Sequence, residues 1–102
     1  MDMEERYRLI MSTIFNAIGC RVEVEKMIAT GRIDMVVEVT NYIYVLELKL
    51  TKNGGLASAE KQIKANHYIE PFKADKRKVI ALAVELDDLG KGLLDWKEIV
   101  EA

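Results

Sequence analysis

The stretch Tyr42-Ile43-Tyr44-Val45-Leu46-Glu47-Leu48-Lys49-Leu50 is β-branched, aromatic and apolar, yet two charges of opposite sign interrupt it. Such a run reads as a strand inside a sheet. A charge carried into an apolar interior is costly unless it is paired or binds a metal. Any fold of this chain therefore has to give Glu47 and Lys49 partners. The preceding run, residues 32–39, is also β-rich and carries Asp34 in its interior. A tight hairpin turning at Thr40-Asn41 pairs residues whose numbers sum to 81, such as Val39 with Tyr42. Asp34 then lies opposite Glu47 and projects to the same face. Lys49, two residues beyond Glu47, points the same way.

The rest of the chain supplies the layers around this hairpin. Residues 4–18 place Tyr7, Ile10, Met11, Ile14, Phe15 and Ile18 at steps of three and four, as in an amphipathic helix stopped by Gly19. Residues 21–28 alternate like a half-exposed strand, with a turn at Thr30-Gly31. Asn53-Gly54-Gly55 breaks the chain, and residues 56–70 favour a helix that Pro71 ends. Residues 79–86 read as a strand buried on both faces. Residues 93–101 fit either a short strand or a final helical turn. The order is α-β-β-β-α-β, which predicts an α/β domain with a central mixed sheet flanked by helices.

With 102 residues, half of them apolar, the chain suffices for one compact domain over 1–102. A core of that size is modest, which makes a homodimer an expectation compatible with the sequence. No apolar run approaches the roughly 20 residues that span a bilayer. The acidic start Met1-Asp2-Met3-Glu4-Glu5 lacks a signal-peptide core, and a lone Cys20 suits a reducing compartment. These features predict a cytoplasmic protein without membrane contact. The net charge of −2 hides an uneven distribution. Residues 49–78 hold eight basic and three acidic side chains, whereas both flanking segments are acidic. That basic third suits phosphate contacts, and equally suits a solvated helix and turn.

The trio fits a particular chemistry. Hard oxygen donors from Asp34 and Glu47 suit Mg2+ or Mn2+, which keep several waters. Such a cation lowers the pKa of its water and neutralises a phosphate, and Lys49 is placed to stabilise charge developing on phosphorus. On spacing alone, the same three groups are equally an ion-pair cluster at a solvated sheet edge. No Cys/His cluster and no glycine-rich phosphate loop competes with this reading.

Gly31-Arg32-Ile33-Asp34, then twelve residues, then Glu47-Leu48-Lys49-Leu50, resembles the D…(D/E)XK signature of the PD-(D/E)XK nuclease superfamily. Gln62-Ile63-Lys64 and Tyr68-Ile69-Glu70-Pro71-Phe72 resemble a branch of it often found C-terminal to an ATPase-like module. The likeness runs from about Glu4 to Asp87. It implies a restriction-endonuclease-like αβββαβ core and a divalent-metal-dependent nuclease acting on nucleic acid, DNA ahead of RNA. It also implies roles by position. Asp34 and Glu47 would bind the metal, Lys49 would assist the attacking water, and a glutamate of the first helix, Glu4 with Glu5 next, would complete the site. Gln62 and Tyr68, both expected on the second helix, would sit beside it. The loop after Lys49 lacks the acidic residue expected near its start, and His67 stands where a small residue is usual. His67 is expected at the surface or in packing.

Two rival readings remain. One is a non-catalytic nucleic-acid-binding module using Lys61, Lys64, Lys76, Arg77 and Lys78. The other is a protein-interaction domain with an inert ion-pair cluster. Tyr42 and Tyr44 are expected to pack, Cys20 to be buried, and Trp96 to lie over the core.

Overall fold

The computed structural model describes residues 1–100. The elements run α1 (Met3–Ala17), β1 (Arg21–Ile28), β2 (Gly31–Glu38), β3 (Tyr42–Leu50), α2 (Gly55–Ala65), β4 (Lys78–Leu86) and β5 (Leu93–Ile99). The five strands lie in one sheet in sequence order. β1–β2, β2–β3 and β4–β5 are antiparallel, whereas β3 and β4 are parallel. A parallel pair needs a crossover, and the segment carrying α2 provides it. The mixed sheet between two helices is the architecture expected from the sequence.

Each helix covers one face. Tyr7 of α1 packs with Met35, Val37, Leu46, Leu48, Leu50, Val84 and Leu86. Ala59 and Ile63 of α2 pack with Ile33, Val36, Ile43, Val45, Ala81 and Ala83. The period-two alternation of β3 thus sends its even-numbered residues to α1 and its odd-numbered ones to α2. Glu47 and Lys49 belong to the α2 side.

The hairpin register is the predicted one. Met35 pairs with Leu46, Val36 with Val45 and Val37 with Tyr44, and the Val39 N–H donates to the Tyr42 carbonyl at 3.0 Å. α1 starts at Met3 because Asp2 caps it, its Oδ1 accepting from the Glu5 N–H at 2.8 Å.

Several expectations are corrected. The second helix ends at Ala65, well before Pro71, which sits in a separate 3-10 turn over Glu70–Phe72. His67 adopts a left-handed φ of 50°, which a helix cannot continue. Tyr68 therefore leaves the helix and turns inward. Residues 93–99 form a strand, and Glu101 of that predicted stretch lies outside the described residues. Trp96 is no lid, being 59% exposed on β5. Cys20 is only half-buried, while Tyr42 and Tyr44 stack with centroids 5.9 Å apart. No helix among the described residues is long and apolar enough to cross a membrane.

Candidate active site

β2 breaks its regularity at Asp34. The β1–β2 ladder joins Val24 to Met35 and Lys26 to Ile33 but skips the pair between them, Glu25 and Asp34. The β2–β3 ladder ends at Met35–Leu46, one pair short of Asp34 and Glu47. Ile33 and Val36 both enter the α2-side core, although residues three apart cannot share a face of a regular strand. Opposite the break, Glu25 holds a left-handed φ of 52°, a costly conformation for a residue with a side chain. The Asp34 carboxylate fills the gap so formed. Its Oδ2 accepts from the Leu48 N–H at 2.8 Å, where a β2 carbonyl would otherwise serve.

Glu47 stands beside it on β3. Both carboxyls are buried, with Glu47 only 1% exposed, and they lie within hydrogen-bonding reach of each other. Lys49 Nζ is 3.6 Å from Glu47 Oε2. The Tyr68 hydroxyl lies 2.7 Å from Glu47 Oε1 and 2.7 Å from the Arg32 carbonyl oxygen, two acceptors for one proton. Gln62 Nε2 donates to the same hydroxyl at 3.0 Å. Asp34, Glu47, Lys49, Gln62 and Tyr68 are thereby gathered in one group, although Tyr68 reaches it from the turn after α2 and not from the helix.

Glu4 is placed differently. It is half-buried in the first turn of α1, and no hydrogen bond or ion pair joins it to the group among the described residues. It lies one turn before Arg8, whose Nη2 is 2.9 Å from Glu25 Oε1. Glu5 donates its backbone N–H to Asp2 and is exposed.

Burial pushes the Glu47 carboxyl up to about 8, and the neighbouring Asp34 charge adds to the rise. The Tyr68 hydrogen bond and the Lys49 charge pull the other way without reversing it. Burial raises the Tyr68 hydroxyl too, helped by its bond to Glu47, so Tyr68 remains a donor. At neutral pH the metal-free carboxyl pair thus holds a proton, because two buried negative charges at contact are strongly unfavourable.

Among the described residues, no group of three or more His, Cys, Asp or Glu side chains is gathered as a metal cage. The pair still suits a hard divalent cation. Two buried carboxylates, each with one oxygen tied to a protein donor (Leu48 N–H, Tyr68 hydroxyl) and the second Glu47 oxygen facing only the longer 3.6 Å contact with Lys49, form a donor set that Mg2+ or Mn2+ would complete with water.

Sequence reasoning missed Glu85. β3–β4 register sets it beside Lys49 on the α2 side. Its Oε2 accepts from Thr51 Oγ1 at 2.6 Å and its Oε1 from the Leu56 N–H at 3.1 Å, so it caps α2 where Gly54 offers no side chain. Gly55 is required here, since a Cβ would come within 2.4 Å of Glu85 Oε1 and its φ is 55°. The signal was a charge interrupting an apolar strand, as at Glu47. Of the basic residues named for a binding module, Lys64 is held by Glu60, and Arg77 by Glu38 and Asp75.

Residues 2–93 match the family model of the PD-(D/E)XK nuclease superfamily, and the chain belongs to that superfamily. It is also similar to an uncharacterized protein in the vnfD 5' region of Azotobacter chroococcum mcd 1, with 29% identity over 82 residues. That alignment covers 80% of this chain but 16% of the relative, so the chain spans only a small part of the relative's length. No solved structure matches.

Proposed function

We propose that the chain is a divalent-metal-dependent nuclease that hydrolyses phosphodiester bonds of nucleic acid, with DNA ahead of RNA. One observation carries this reading. Asp34 and Glu47 are buried side by side, and Lys49 Nζ stands 3.6 Å from Glu47. An inert structural ion pair needs one carboxylate for one ammonium; the second carboxylate makes this arrangement unfavourable unless a proton or a metal cation joins it, and the metal competes for the proton's place. Mg2+ or Mn2+ held by Asp34 and Glu47 would polarise the phosphate and supply a water of lowered pKa. Lys49 is positioned to orient the attacking water and to stabilise negative charge on the phosphoryl oxygens. Tyr68, fixed by Gln62 and the Arg32 carbonyl, holds the Glu47 carboxylate in one orientation. Glu4 and Glu5 are candidates for a further ligand on α1, reached through water.

The longer relative fits a nuclease domain that works with a further module, such as the ATPase-like one implied by the sequence resemblance. The test is cleavage of plasmid and single-stranded DNA with Mn2+ or Mg2+, comparing the wild type with Lys49→Ala and a chelator control. Metal-dependent cutting that vanishes in Lys49→Ala supports the reading. A folded wild-type protein that cuts no substrate of any shape overturns it.

A further inference from the structure

Arg32 contributes only its main chain to the site described above. Its carbonyl accepts from Tyr68, whose hydroxyl also touches Glu47, so the Arg32 peptide stands one hydroxyl away from the buried carboxylate. Its side chain is half-exposed and, among the described residues, has a single ion pair, Nη1 to Glu25 Oε1 at 3.9 Å. That contact lies at the outer limit of an ion pair and contributes little. Arg8 already holds the same Glu25 oxygen at 2.9 Å, with its own side chain 10% exposed. One carboxylate facing two guanidinium groups leaves a positive charge over. The left-handed backbone of Glu25 fixes this cluster directly across from Asp34.

Several other cations are engaged, whereas Lys52, Lys61, Lys76 and Lys78, without an ion pair among the described residues, lie outside the strand that carries Asp34. Lys49 is engaged by Glu47, Lys64 and Lys97 share Glu60, and Arg77 is clamped between Glu38 and Asp75. The buried acidic pair itself offers a polyanion no attraction before any cation arrives. A half-exposed surplus guanidinium on the strand that carries Asp34 supplies that attraction. Arginine suits the task because its planar fork binds two phosphate oxygens at once.

We infer that Arg32 receives a backbone phosphate of the nucleic acid next to the scissile bond, and that Arg8 neutralises Glu25 so that Arg32 is free to leave it. The inference rests on the nuclease reading and adds to it a substrate-positioning residue outside the D…(D/E)XK trio.

The experiment measures binding of fluorescein-labelled single-stranded and duplex oligonucleotides by anisotropy in chelator over a range of salt, and cleavage in Mn2+. It compares wild type, Arg32→Ala, Arg32→Lys and Arg21→Ala, the last an exposed arginine at the far end of β1. Expected for Arg32→Ala is roughly tenfold weaker binding and a slope of log affinity against log salt shallower by about 0.7–0.9, the loss of one phosphate contact. KM rises, while thermal midpoint and Mn2+ affinity stay at wild-type values. Arg32→Lys keeps the salt slope with intermediate affinity, and Arg21→Ala matches wild type. If wild type cuts but Arg32→Ala binds with unchanged affinity and slope, Arg32 has no such role and the nuclease reading stands. If Arg21→Ala weakens binding as much as Arg32→Ala, the effect is general surface charge and the inference also falls. A wild type that neither binds nor cuts removes both.

Discussion

The Tyr68 hydroxyl stands 2.7 Å from Glu47 Oε1, and it gets there because the chain leaves α2 at Ala65 and turns at His67. The tyrosine is completely buried. It therefore serves as core and as a donor to the acidic pair. Tyr68→Phe keeps the ring and removes the bonds to Glu47 and to the Arg32 carbonyl. We expect a loss of about 1–2 kcal/mol in urea denaturation. Because the hydrogen bond lowers the Glu47 pKa, its removal shifts Mn2+ binding to higher pH, which a metal titration at several pH values checks.

Glu47 gives the metal-free protein a pH-dependent stability of defined sign. Its folded value of about 8 lies above its ordinary value, so the native state binds more protons than the unfolded one in between. This contribution is fully present below about 4.5, the ordinary carboxyl value, and is lost as pH rises through about 8. Thermal melts in chelator should fall over that window, and Glu47→Gln should flatten the fall. Mn2+ competes with the same proton, so its affinity should climb as pH approaches 8 and be absent in Glu47→Gln.

Asp34 has a structural duty besides any role as ligand, since it satisfies the buried Leu48 N–H. Asp34→Ala orphans that donor and should cost about 1–3 kcal/mol. Asp34→Asn keeps an acceptor and removes a negative charge beside Glu47, so its stability at pH 7 should equal or exceed wild type. Both variants should lose Mn2+ binding in calorimetry. Equal stability of the two would show that the Leu48 bond carries no weight.

Lys49→Met should leave the fold intact and lower the rate of metal-dependent cleavage by about 10²–10³-fold, the range for removing one charge-stabilising group. It should also move Mn2+ binding to higher pH, since Lys49 pulls the Glu47 pKa down. Single-turnover cleavage and metal titration separate the two effects.

Glu85 caps α2 from another strand, so Glu85→Ala should cost about 1–2 kcal/mol, and Glu85→Gln, which keeps an acceptor for Leu56, about half of that. Gly55→Ala should be at least as damaging as Glu85→Ala, because the methyl meets the Glu85 carboxyl at a left-handed backbone position. Denaturant midpoints decide the ranking.

The hairpin was legible because two residue-level rules agree: turn chemistry at Thr40-Asn41 sets the register, and strand alternation sets the face. Glu47 and Lys49 follow from those rules, and the rules bring Asp34 near Glu47 but not the break in both ladders at which its carboxylate sits. Gln62 and Tyr68 came from the resemblance, and their bonds depend on a turn whose left-handed residue, His67, carries no local signal of the kind glycine gives. Glu4 illustrates the limit in the other direction, since helix periodicity locates it on α1 but not its distance from the carboxylates. The Arg8–Glu25 pair and the bonds of Glu85 escaped notice because the partners lie 17 or more residues apart, where no spacing rule operates. Trp96 failed for a simpler reason: β5 pairs only with β4, at the sheet edge, where one large side chain has little to cover.

The parallel pairing of β3 with β4 has a consequence for how the molecule assembles. Asp34 and Glu47 meet across a short turn, a closure that is fast and entropically inexpensive. The elements that cover the α2 side arrive with the chain from 51 to 77, whose crossing docks β4. The two carboxyls are thus neighbours while still wet, and water is expelled from them in a later, slower event. We expect a proton to be taken up, or a cation trapped, at that docking step. The refolding rate should consequently carry a dependence on pH and on divalent ions that hairpin formation lacks.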